Sequence, residues 1–224
     1  MWLLTTLFIG PLGLVTYWIS IGRYQPSGGS IGQVSPARRS LGSAAWAASG
    51  TALGGIGVLA QTFYLPAVSS NLIMQIAVVL LVPLFAGWLI FSVSRWISRS
   101  AAGYDLYSRR PLFTDVVSTC LVLAGLFPIV NILSMSFFQW TFPSGYDLFY
   151  APLWGALCLG AIVGMLVAYP FHLWMLRRGE FRWGSEAFSK EDPIRELAWY
   201  VKVVLVVLAF VIMLGAIFVA MQIA

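Results

Sequence analysis

Ala198–Ile223 reads AWYVKVVLVVLAFVIMLGAIFVAMQI, and Lys202 is its only charged residue. An α-helix rises about 1.5 Å per residue, so roughly 20 apolar residues cross a hydrocarbon core of about 30 Å. This stretch is long enough and apolar enough to do so. Working outward from it, five more stretches qualify: about Trp2–Ile21, Ala44–Ala67, Leu72–Val93, Val116–Phe138 and Ala151–Met175. The sequence therefore predicts an all-α, polytopic transmembrane helix bundle of six spans. Its first span could be taken for a secretion signal. Its start carries no basic residue and no small-x-small cleavage site follows, so it reads as a retained helix.

The composition of the whole chain agrees. Of 224 residues, 60% are hydrophobic and only 9% charged, and the mean hydropathy is +0.87. A soluble domain carries about 25% charged residues to keep its surface wet. That difference excludes a cytosolic enzyme, a secreted domain and a disordered tail. Cys120 and Cys158 lie in apolar runs without CxxC spacing and read as small buried hydrophobes. The bases are too dispersed for nucleic acid, which is not expected as a partner.

Charge sets the expected orientation. Arg23, Arg38 and Arg39 fall between the first and second spans; Arg95, Arg99, Arg109 and Arg110 fall between the third and fourth. Arg177, Arg178, Arg182, Lys190 and Arg195 fall between the fifth and sixth, and Lys202 lies just inside the sixth. The Ser69–Asn71 turn and the Gln139–Tyr150 loop hold no base. Basic loops stay cytoplasmic, so both termini are expected outside, in a multi-pass protein of the cell inner membrane. Trp2, Trp18, Trp88, Trp96, Trp140, Trp174 and Trp199 lie near span ends, where indoles anchor at the headgroups. The loops are short, so residues 1–224 read as a single membrane domain. Tyr24–Ser43, with QPSGGS and SPARRS, reads as an irregular loop. Asp192-Pro193 reads as a helix start, with Asp192 at the cap and Pro193 at the first helical position.

Few side chains offer chemistry. Asp115 opens the fourth span; it reads as an acid in the positive first turn of a helix, with a proton-carrying role as the alternative. His172, the only histidine, follows Tyr169-Pro170-Phe171, and Pro170 is expected to kink the helix. One buried histidine either bonds a neighbouring backbone carbonyl or binds a haem or chlorophyll-type pigment axially. No nucleophile–base pair and no phosphate loop is legible, so no enzymatic activity is expected. Gly50-x-x-x-Gly54 and Gly160-x-x-x-Gly164 are small-xxx-small patterns that let helix backbones approach closely.

The start Met1-Trp2-Leu3-Leu4 through Gly10-Pro11-Leu12-Gly13-Leu14 to Tyr17-Trp18 resembles the first helix of an uncharacterised bacterial membrane family, domain of unknown function 4396. Asp115-Val116-Val117-Ser118 resembles its Asp-x-x-Ser helix opening. Gly164–Met175, with Tyr169-Pro170-Phe171-His172-Leu173-Trp174, resembles its Tyr-Pro-x-Asn-x-Trp-Leu helix end, with Arg177-Arg178 after it. The resemblance covers residues 1–183 and leaves 184–224 as an added C-terminal helix. It implies a metal or haem pattern, His-Cys-x-x-Gly-Cys-x-x-Gly-Asp, in the second helix. Gly50 and Gly54 remain here, but Trp46, Ala47, Thr51 and Gly55 replace the ligands, so that site does not carry over. His172 stands where the family has Asn. The resulting expectation is a non-catalytic accessory subunit packed beside other integral membrane subunits of a respiratory, photosynthetic or oxidase-type complex. The alternatives are a small transporter or channel lined by Gln61, Asn131 and Ser134, and a pigment- or haem-binding protein using His172.

Overall fold

The computed structural model describes residues 35–64, 112–133, 151–179 and 197–223, with isolated helical residues between 14 and 19 and between 74 and 89. Among these residues the secondary structure is helical and no strand occurs. Four helices carry the architecture: α1 (Pro36–Tyr64), α2 (Leu112–Ile132), α3 (Ala151–Arg178) and α4 (Trp199–Ile223). Three stretches, Phe113–Ile132, Pro152–Arg178 and Trp199–Ala220, are long and apolar enough to cross a membrane. They mark a membrane protein. The expected spans Trp2–Ile21 and Leu72–Val93 lie mostly outside the described residues.

The helix ends follow local chemistry and correct the expected boundaries. α1 starts at Pro36, a full two turns before Ala44. Ser35 accepts a backbone bond from Arg39 at 3.1 Å, and Pro36 sits where its missing N–H costs nothing. Arg38 and Arg39 therefore belong to a helix, not to a loop. α2 begins at Leu112, which puts Asp115 in its first turn. α3 runs through Pro170 to Arg178. Gly179 closes it at φ 71°, with its N–H on the Leu176 carbonyl at 3.1 Å. α4 begins at Trp199; the Ala198 carbonyl accepts its first bonds, from Val201 and Lys202. Leu197 and Ala198, just before it, are not helical, and the expected helix start at Asp192-Pro193 lies outside the described residues.

Packing fixes the directions. Gly160 meets Leu126, Gly164 meets Val122, and His172 meets Ser118, so α3 descends as α2 ascends. α1 runs parallel to α2: Ala44, Ala45 and Ala48 share a cluster with Val122, and Ala52 joins Leu126 nearer the other end. α4 is also parallel to α2. Lys202 lies over the Phe113 ring, and Ala209 and Met213 pack on Val117, Cys120, Leu123 and Ala124. The starts of α1, α2 and α4 thus share one end with the finish of α3. Arg38, Arg39, Arg177, Arg178 and Lys202 gather there.

Burial differs sharply between helices. α1 is buried on every side from Gly42 to Ala52, so a one-sided apolar stripe has no function in it. Apart from Trp46, its side chains there are small, which lets its neighbours close around it. α4 instead covers α2 with a narrow face of Ala209, Met213 and Ala220 and leaves Val204, Val211 and Phe218 exposed. In lipid such exposure carries no penalty.

Candidate functional site

The bundle's buried polar groups concentrate toward its basic end. His172 is 0% exposed and joins three helices. Its Nδ1 lies 2.7 Å from Ser43 Oγ on α1, and its Nε2 lies 2.7 Å from Ser118 Oγ on α2. All three residues sit roughly two turns, on the order of 10 Å, from their helix ends. A neutral imidazole has one N–H and one lone pair. One serine must therefore donate while the other accepts, and a hydroxyl can do either. The Phe171 ring meets the imidazole edge-on at 5.8 Å between centroids.

Three further buried hydroxyls turn back on their own helix, whereas that of Thr114, also buried, has no partner among the described residues. Ser40, Ser49 and Thr51 bond the carbonyls of Ala37, Ala45 and Ala47 at 2.8–2.9 Å. Each thereby avoids presenting an unpaired group to an apolar interior. Asp115, 9% exposed, lies one turn before Ser118 on the same side of α2.

This geometry revises the expectations for His172. Two serine hydroxyls, which the sequence does not single out as its partners, bond its ring nitrogens. With both ring nitrogens engaged and the ring enclosed, axial ligation would break one bond and require room for a macrocycle between packed helices. Ser118 and His172 have the spacing of a nucleophile–base pair, which sequence reading missed. Ser118 is only 2% exposed, so helices close off the approach an acyl carbon would need.

The glycines act at the helix contacts. A Cβ on Gly164 would lie 2.6 Å from the Val122 carbonyl oxygen, and one on Gly160 would lie 3.0 Å from that of Leu126. Gly125, facing them from α2, would strike Gly164 at 2.7 Å. A Cβ on Gly54 would strike the Pro83 backbone, which sets Pro83 beside α1. Gly50 is buried within α1. Gly160 and Gly164 thus face inward, against α2.

The family model described as Domain of unknown function (DUF4396) matches residues 38–180. The chain belongs to this family. The DUF4396 segment contains most of α1 and all of α2 and α3, including Ser43, Ser118 and His172; α4 lies beyond it. No curated protein and no solved structure matches the chain. Two DUF4396-like features thereby acquire a physical link. The serine of Asp115-x-x-Ser118 and the histidine of Tyr169-Pro170-Phe171-His172 are hydrogen-bonded to each other. Ser118 had been noted for its motif alone, and nothing in the sequence singled out Ser43. Among the replaced motif positions, Trp46, Ala47 and Thr51 are all buried. Of the side chains suggested for a polar pathway, Asn131 is half-buried, while those of Gln61 and Ser134 lie outside the described residues.

Proposed function

We propose that this chain is a non-catalytic accessory subunit of a larger integral membrane complex of respiratory, photosynthetic or oxidase type. It crosses the cell inner membrane six times with both termini outside. The observation that carries this reading is that most of the described buried hydroxyls are used within the fold. His172 takes up Ser43 and Ser118, and three other buried hydroxyls bond their own helices. Among the described residues, most of the apolar surface offered outward lies on α4. The five cations at one end support the orientation, since that end would face the cytoplasm.

Purification from native membranes in mild detergent tests the assignment. The subunit reading expects the chain to migrate with other membrane proteins at a reproducible stoichiometry. A chain that migrates alone and moves a solute across liposomes would instead be a transporter.

A further inference from the structure

The junction of α3 and α4 presents cations and indoles together. Leu197 and Met175 are buried against each other, with Trp174, Leu176 and Val201 packed around them. The last turn of α3 therefore lies beside the first turn of α4. Arg178 places its guanidinium 4.7 Å from the centre of the Trp174 ring. Arg177 beside it is exposed. On α4, Lys202 lies 5.5 Å over the Phe113 ring. Trp199, 75% exposed, stands at the same level.

We infer that this junction is a docking surface for the headgroup of an acidic phospholipid. The inference rests on the reading of this end as lying in a headgroup layer. Charge and shape carry it. Arg177 and Arg178 are exposed at the end of α3, and the exposed indole of Trp199 opens α4. A guanidinium stacked on an indole is already ordered, so less freedom is lost when it meets a phosphate. Its fork matches two phosphate oxygens, whereas an ammonium acts as a point charge. The exposed indole of Trp199 suits the boundary where acyl chains begin. A zwitterionic headgroup brings its own cation to the same place and gains less.

The test is native mass spectrometry of the full chain released from micelles containing equal phosphatidylglycerol and phosphatidylcholine. Phosphatidylglycerol should be retained at least tenfold over phosphatidylcholine. Each basic residue near a membrane surface contributes roughly a fivefold preference. Arg177→Gln with Arg178→Gln should therefore remove most of the selectivity while leaving the melting temperature near wild type. Should the double variant fail to fold, wild type alone decides the matter: selectivity must fall as salt rises from about 0.05 to 0.5 M, because screening shortens the reach of the charges. Equal retention of the two lipids by wild type overturns the proposal. It would assign the arginines to the five carboxylates between Glu180 and Glu196. Displacement of phosphatidylglycerol by millimolar inorganic phosphate also overturns it, in favour of a free-anion site. Neither result bears on co-purification, so the subunit reading stands or falls separately.

Discussion

His172 shows how much one residue can organise when water is absent. Its two bonds tie α3 to α1 and to α2 at one depth. Removing the ring leaves two buried hydroxyls to find other partners. His172→Ala should cost about 1–3 kcal/mol, and Ser43→Ala or Ser118→Ala about 0.6–2 kcal/mol each. Unfolding in mixed micelles measures all three. In a double-mutant cycle, Ser118→Ala should add little in the His172→Ala background, since their shared bond is already gone. Glycines give a second residue-scale contrast. Gly164→Ala drives a methyl into the Val122 backbone and should cost about 1–3 kcal/mol. Gly155 has open space around it, so Gly155→Ala should leave stability unchanged or slightly raised. Equal effects at the two sites, read as melting temperature in detergent, would contradict the α2–α3 register.

At the scale of elements, α1 and α4 are opposites. α1 was expected to begin at Ala44 because hydropathy weighs Ser, Gly and Arg as loop residues. Its own start signal, Ser35-Pro36, lies inside the stretch that reads as irregular. Burial on all sides lets α1 be built mostly from alanine, serine and glycine around Trp46, so apolarity alone understates it. α4 is the reverse: of the four helices it is the most apolar and the least covered, with Val204, Val211 and Phe218 all exposed. Its sequence announces a span but not which side meets α2. Ala209 is 2% exposed against α2, whereas a Cβ on Gly215 meets nothing within 4 Å. Ala209→Leu should therefore destabilise the bundle by about 1–3 kcal/mol, and Gly215→Leu should leave its stability intact. Measured on the protein from native membranes, Gly215→Leu should weaken retention of partner proteins if α4 docks through that side. Loss of stability in Gly215→Leu equal to that in Ala209→Leu would show that the helix is rotated.

For the whole molecule, orientation is the property with the clearest test. Cysteines at Ser69 and Ser144, in a background lacking Cys120 and Cys158, should react with an impermeant thiol reagent on intact cells. Cysteines at Ser30 and Ser189 should react only after lysis. Labelling of position 189 on intact cells with position 144 protected would reverse the bundle. The convergence of four helix ends gives this expectation a basis beyond loop counting. Arg38, Arg39, Arg177, Arg178 and Lys202 reach a common end because α3 runs against the other three helices.

Two kinds of information separate here. Membrane character, helical class and the family are legible in the chain, because lipid demands long runs whose backbone bonds are satisfied within each helix. Such a demand acts on consecutive residues, so a linear reading suffices. The glycine spacings are legible for the same reason, since Gly160 and Gly164 share one side of their own helix. Their partner is not: whether they meet Val122 or another protein depends on how helices far apart in sequence are arranged. His172 makes the same point at the site. Its rarity marked it as a candidate, but 129 residues separate it from Ser43 and 54 from Ser118. Any of the many serines could have been its partner, and any span end could have lain beside it. Tertiary packing chose these two by bringing three helices to one depth, and in doing so it made His172 an interhelical tie.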